Sequence, residues 1–209
     1  MLRDIRTNYE YSALGEEEIL SNPIEQFNHW LKEAISSNQL EPTAMTLSTV
    51  DEHLQPHSRV VLLKELIDGS FVFYTNYEGN KAQQMSKNNK VSLQFFWPTL
   101  ERQVRILGMV EKLDEATAND YFMTRPIKSQ LGAWASPQSQ TIPSYQFLEK
   151  RYQFFEEKFA GNVPKPPHWG GYKVVPTSIE FWQGRRNRLH DRLVFNLIDN
   201  KWIMTRLAP

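Results

Sequence analysis

Gln103-Val104-Arg105-Ile106, which opens the stretch from Gln103 to Leu113, alternates polar and apolar side chains. Successive residues of a strand point to opposite faces, so Val104 and Ile106 share one face while Gln103 and Arg105 share the other. The pattern predicts a strand buried on one side and polar on the other. Outward from it, Val91 to Trp97 reads as the preceding strand. Further upstream, Met45 to Val50 and Arg59 to Leu66 read as strands joined by the polar stretch Asp51 to Ser58, and Asp68-Gly69 is a hairpin signal before Phe71 to Thr75. Downstream, Tyr172 to Val175, Ile179 to Gln183 and Leu193 to Arg206 supply the last strands, the final pair turning at Asp199-Asn200.

Helices interrupt this series. Asn22 as cap, Pro23 in the first turn and Glu25 three residues after the cap start a helix that Ile24, Phe27, Leu31 and Ile35 carry to Ser37. Lys81 to Lys87, Asp114 to Thr124 and Ser144 to Phe159 read as three more, the second ended by Arg125-Pro126. Val163 to Pro167 is a proline-rich connector. Antiparallel strands with helical insertions imply a mainly β, barrel-like α+β domain over residues 21–209. Residues 1–20 are polar and weakly patterned, and read as a mobile arm. No glycine-rich strand-to-helix turn is present, which argues against a Rossmann fold.

Composition narrows the function. The 209 residues carry 24 basic and 24 acidic side chains, a balance that disfavours nucleic acid or a membrane surface as an electrostatic partner. There is no cysteine, which excludes disulfides, thiolate nucleophiles and thiolate metal sites and fits a cytosolic protein. The charged start MLRDIRTNYEYS does not read as a signal peptide, and no apolar run is long enough to span a bilayer.

Four clusters carry potential chemistry. In Arg59-Val60-Val61-Leu62-Leu63-Lys64 the two cations stand five apart, so an unbroken strand would send them to opposite sides, where they could grip two different anions. Phe73-Tyr74-Thr75-Asn76 followed by Gly79-Asn80-Lys81 runs a strand into a helix start, a ready phosphate site. Tyr121, Arg125 and Ser129 are four apart, and across a helix end and loop they could surround a phosphate. Arg188, His190 and Arg192 alternate, so a strand would place three titratable or cationic groups on one face, hard to bury without an anionic ligand.

The ordered set RVVLLK, FYTN, LERQVR, SQLGAW, Gln138-Ser139, WGGY, FWQG with RLHDR, and terminal RLAP resembles the pyridoxine/pyridoxamine 5'-phosphate oxidase family from about Pro42 to Pro209. The resemblance implies an FMN-binding split β-barrel with peripheral helices, and a homodimer holding FMN at the subunit interface. It implies FMN contacts from the run Arg59, Val60, Val61, Leu62, Leu63 and Lys64, and from Tyr74, Thr75, Lys81, Gln103, Gln138, Ser139, Trp182 and Arg192. The substrate phosphate would be held by Lys64, Tyr121, Arg125 and Ser129, with Arg188 and His190 flanking the substrate ring. Arg6 and Tyr9 match an R-x-x-Y element that closes over the substrate. The implied activity is oxidation of pyridoxine or pyridoxamine 5'-phosphate by dioxygen to pyridoxal 5'-phosphate, with hydride passing to the flavin. Hydrogen peroxide is released, with ammonia from the amine. A flavin-binding reductase on the same barrel and a flavin-free pyridoxal phosphate carrier are the rival readings. Two positions depart from the family pattern: Asn80 stands where a basic residue is common, and Arg185-Arg186-Asn187 is unusually basic.

Overall fold

The computed structural model describes residues 1–4 and 8–209, and its nine described strands join into one antiparallel sheet. They are β1 (Ala44–Val50), β2 (Pro56–Leu62), β3 (Glu65–Ile67), β4 (Ser70–Asn76), β5 (Lys90–Trp97), β6 (Arg102–Lys112), β7 (Trp169–Gln183), β8 (Asp191–Ile198) and β9 (Lys201–Arg206). The order is β2-β1-β5-β6-β7-β4-β3, and β8 adds to β7 and carries β9. β7 is the branch point. Its first half pairs with β4 and its second half with β8, while β6 runs along its length. The curled sheet is a split β-barrel, as the strand pattern and the resemblance imply.

The helices are α1 (Pro23–Ser36), α2 (Asn80–Lys87), α3 (Glu115–Thr124), α4 (Ile127–Ala135) and α5 (Tyr145–Phe159). Asn22 caps α1 by accepting from the Ile24 N–H at 2.9 Å. Phe27 of α1 sits fully buried against Phe71 and Phe95, at ring separations of 4.9 and 5.0 Å, and Trp30 lies edge-on to Phe181 at 5.2 Å. Burying one such ring contributes roughly 1.5–3 kcal/mol, so α1 acts as the plug of the barrel. Ile35, expected on that face, is 56% exposed, and Ala34 takes the buried position instead. A second cluster of Phe122, Leu131, Val163 and Trp169 packs beneath α3 and α4.

Several expectations need correction. The strand read as Arg59 to Leu66 breaks at Leu63-Lys64, where the Leu63 N–H donates to the Thr43 carbonyl and the Lys64 N–H to that of Val72. The two strands read across Val175 to Ile179 are one, because Pro176 sits at a bulge opposite Gly108 that asks for no ladder donor. Helix α4 was not expected. Its glycine and weak apolar periodicity hide it, although Pro126 stands at its start. Part of the segment read as a mobile arm, from Tyr11 to Ile19, packs on the barrel: Leu14 and Ile19 join the core, and the Tyr11 N–H donates to Glu101 at 2.9 Å.

Candidate functional site

A cavity of about 580 Å³ gathers Arg59, Val60, Val61, Leu62, Lys64, Tyr74, Thr75, Lys81, Tyr121, Arg125, Ser129 and Gln138. The break in the backbone at Leu63-Lys64 is what brings Arg59 and Lys64 to one wall, where an unbroken strand would have separated them. Leu63 itself turns into the core, 5% exposed, and is not among the residues lining the cavity.

Arg59 is fixed by neutral acceptors. It donates to the Leu47 and His57 carbonyls at 3.1 Å each, to Thr49 Oγ1 at 2.6 Å and to Gln84 Oε1 at 3.2 Å. Lys81 at the start of α2 donates to Thr75 Oγ1 at 3.0 Å and Gln138 Oε1 at 2.6 Å. Burial, then the charge of Arg59, pushes the Lys81 pKa down. Two cations held within range of each other are an arrangement that an anion relieves. The Asn80 N–H donates to Ser139 Oγ at 3.2 Å, while Asn80 lines a separate groove with Asp51 and Glu52.

The opposite wall comes from α3 and α4. The side chain of Gln130 donates to the Phe122 and Arg125 carbonyls at 3.1 and 3.0 Å, which locks the end of α3 to α4. That joint, and not a continuous helix, makes Tyr121, Arg125 and Ser129 converge. The Arg125 guanidinium lies 4.7 Å above the Trp169 ring, and its Nη1 is buried without a hydrogen-bond partner among the described residues. Burial also lowers its pKa. Tyr74 stacks on Tyr121 at 3.8 Å and on Trp169 at 5.5 Å, extending an aromatic wall beside it. Gly171 permits this, since a Cβ there would meet Tyr74 Cε1 at 2.8 Å. Among the described residues none of Arg59, Lys64, Lys81 and Arg125 is paired with a carboxylate. The cavity is a cationic pocket.

The remaining candidates form a second cluster. Gln103 faces Trp182 across β6 and β7, and Trp182 faces Arg192 across β7 and β8. His190 lies 4.6 Å from the Trp182 ring, and Tyr9 stands edge-on to both rings at 5.7 Å. Arg6 lies outside the described residues. Tyr74 pairs with Gly171, so Gly171 and Trp182 mark the two clusters on β7, roughly 35 Å apart along the strand at ~3.3 Å per residue. One chain therefore presents two separate clusters.

The one-face reading of Arg188, His190 and Arg192 fails. Arg188 belongs to a 3-10 turn at Arg186–Arg188 and is left-handed with φ 62°, following Asn187 at φ 57°. Arg192 needs no ligand to balance it, because Glu180 accepts from its Nε at 2.9 Å and its Nη2 at 3.2 Å. The basic loop is explained likewise: Arg185 pairs with Asp191 and Arg186 with Glu10, each at 2.7 Å. His190 accepts at Nδ1 from the Arg185 N–H at 3.0 Å, and its pKa is lowered by burial first and then by Arg188. Trp169, Gln84 and Glu180 are site residues missed from sequence. Trp169 was within reach, as the first residue of WGGY.

Comparison with known proteins places the chain among relatives of one family. The family described as pyridoxamine 5'-phosphate oxidase matches residues 31–158, and the pyridoxine 5'-phosphate oxidase C-terminal dimerisation region matches residues 169–209. A pyridoxine/pyridoxamine 5'-phosphate oxidase of Synechocystis sp. is 51% identical over the whole chain and 98% of its own length. One from Vibrio cholerae is 50% identical over the whole chain and 99% of its own. Among solved structures, PhzG from Burkholderia lata 383 in complex with tetrahydrophenazine-1-carboxylic acid superposes with a TM-score of 0.89 at 26% identity. That match covers 94% of this chain and 98% of the other. A pyridoxamine 5'-phosphate oxidase-related, FMN binding protein from Nostoc punctiforme shares the fold, with a TM-score of 0.72 at 14% identity over 91% of this chain and 100% of its own. With its catalogue of cations, its split barrel and both matched regions, the chain belongs to the pyridoxine/pyridoxamine 5'-phosphate oxidase family, and its C-terminal region supports a homodimer.

Proposed function

We propose that the protein oxidises pyridoxine 5'-phosphate or pyridoxamine 5'-phosphate to pyridoxal 5'-phosphate, using FMN and dioxygen. Arg125 carries the reading: its Nη1 is buried with no hydrogen-bond partner among the described residues, in the cavity it lines with Lys64, Tyr121 and Ser129. A buried charged donor without a partner is costly, and a substrate phosphate would supply the missing acceptor. FMN fits the rest of the pocket, whose Arg59, Lys81, Thr75 and Gln138 offer donors to a second phosphate. The backbone of Val60, Val61 and Leu62 would run alongside the flavin.

When bound, FMN supplies the acceptor for the substrate's hydride and returns the electron pair to dioxygen as hydrogen peroxide. The chain's own part is orientation and charge. Arg125, Lys64, Tyr121 and Ser129 would anchor the substrate by its phosphate. Gln103, Trp182, Arg192 and the Arg188–His190 pair would come from the partner protomer and complete the site, with Tyr9 packed behind His190. With pyridoxamine phosphate, water then releases ammonia.

The purified protein is expected to be yellow with about one FMN per chain, as a pocket of this charge implies. Aerobic assay with each phosphate ester should yield peroxide and the aldehyde. Colourless protein that added FMN does not reconstitute would contradict the reading.

His190 sets a pH dependence. Its folded pKa lies below the ordinary 6.5, so the neutral ring persists as pH falls through that value. The stability linked to this shift is present above 6.5 and is lost as pH falls below it towards the folded pKa. If neutral His190 serves turnover, the acid limb of kcat/KM lies below 6.5 and disappears in His190→Gln. A limb at or above that value in the parent protein would count against a neutral histidine.

A further inference from the structure

We propose that Asp191 is a positioning residue: its carboxylate holds the loop at Arg185 so that the His190 ring keeps a single neutral tautomer. The consequence for turnover rests on the oxidase reading above, but the geometry does not.

Asp191 opens β8, and its side chain is only 13% exposed. Its Oδ2 accepts from the Leu14 N–H at 3.0 Å and from Arg185 Nη1 at 2.7 Å, and its Oδ1 accepts from Arg206 Nη1 at 2.8 Å. Burial opposes the charge, yet these donors outweigh it and the pKa is lowered. The three donors come from three separate segments. Arg206 also donates to the Leu14 carbonyl and to Glu16, which fastens the N-terminal segment to β9.

The Arg185 contact reaches the histidine. With its side chain held by Asp191, Arg185 directs its own N–H onto His190 Nδ1 at 3.0 Å. A ring nitrogen that accepts carries no proton, so the neutral ring bears its proton on Nε2. Between these anchors the loop passes through two left-handed residues, Asn187 and Arg188. Each such residue is strained and persists only where the surroundings over-determine it. Asp191 supplies that outside hold. Behind the ring, Tyr9 packs over Gly184, where a Cβ would meet Tyr9 Cγ at 2.7 Å.

The two carboxylate oxygens give a test with an internal control. Asp191→Asn leaves one acceptor oxygen for three donors and turns an amide NH2 towards an arginine. Arg185→Ala cuts the path to His190 at a half-exposed residue, so it tests the same link in a variant expected to fold. Arg206→Ala removes the Oδ1 contact and the ties to Leu14 and Glu16 but spares the Oδ2 contact to Arg185. In the FMN-loaded homodimer, nitrogen NMR of the His190 ring should show the Nε2–H tautomer alone in the parent and in Arg206→Ala. It should show mixed tautomers in Asp191→Asn and Arg185→Ala. Those two variants should also lose about ten-fold in kcat with KM changed less than about two-fold, since the phosphate grip is untouched. A single tautomer retained in both would overturn the proposal, as would a fall in kcat with the ring unchanged. The ring signal needs no turnover, so a parent protein without oxidase activity would refute the functional reading and leave this one standing.

Discussion

Arg125→Met is expected to raise KM for pyridoxamine 5'-phosphate about a hundred-fold while leaving the ligand-free protein more stable than its parent. The two effects share one cause. The guanidinium lies against both Trp169 and Phe122, at 4.7 and 5.5 Å from their ring centres, with Nη1 buried and unsatisfied among the described residues. A charge-assisted hydrogen bond to phosphate contributes roughly 1.5–3 kcal/mol, and about 2.7 kcal/mol corresponds to the hundred-fold change. In the free protein the same group costs stability, and an apolar side chain of similar length relieves that cost while keeping most of the packing. The net gain should be about 1 kcal/mol, less the lost cation–π contact. Steady-state kinetics and thermal melts of the flavin-free protein check both halves. An unchanged KM would place the phosphate elsewhere, and a large loss of stability would mean that Arg125 has an ordinary structural role.

Arg188→Ala should lower kcat by roughly a hundred-fold, the scale for losing one preorganised electrostatic group, while FMN stays bound. Arg188 is exposed in one protomer and left-handed, and its charge bears on His190 two residues away. Its removal leaves in place Arg59 and Lys81, the cations of the pocket proposed for the FMN phosphate. Arg59→Ala should behave in the opposite way, weakening FMN binding because it removes a cation from that pocket. Flavin fluorescence titration beside kcat measurements separates the two. Loss of FMN in Arg188→Ala, with full activity once saturated, would reverse the assignment.

Much of the barrel was legible because its local rules agree. Val104 and Ile106 alternate with Gln103 and Arg105, and the turns at Asp68-Gly69 and Asp199-Asn200 take positive φ throughout, as short hairpins require. What escaped was long-range or irregular. The break at Leu63-Lys64 is set by hydrogen bonds to Thr43 and Val72, which no window around Arg59 displays. The anion expected beside Arg192 is Glu180, twelve residues earlier and diagonally across the β7–β8 ladder, two residues before the Trp182 that faces Arg192. The convergence of Tyr121, Arg125 and Ser129 depends on Gln130, whose buried amide has no periodic signature. Similarly, the docking of residues 9–19 rests on Asp191, Arg206 and Glu101, all distant in sequence.

The central claim is that each site is built from two chains, the phosphate wall from one and the Arg188–His190 loop from its partner. Subunit mixing tests it most directly. Arg125→Met and Arg188→Ala homodimers, each nearly inactive at low substrate, are combined under conditions that let protomers exchange. Random exchange makes half the dimers mixed, and each mixed dimer carries one intact site and one doubly altered site, so activity should rise to about a quarter of the parent's. Activity that stays at the level of the two variants, with exchange verified by mass, would contradict the account and place both groups in one chain's site.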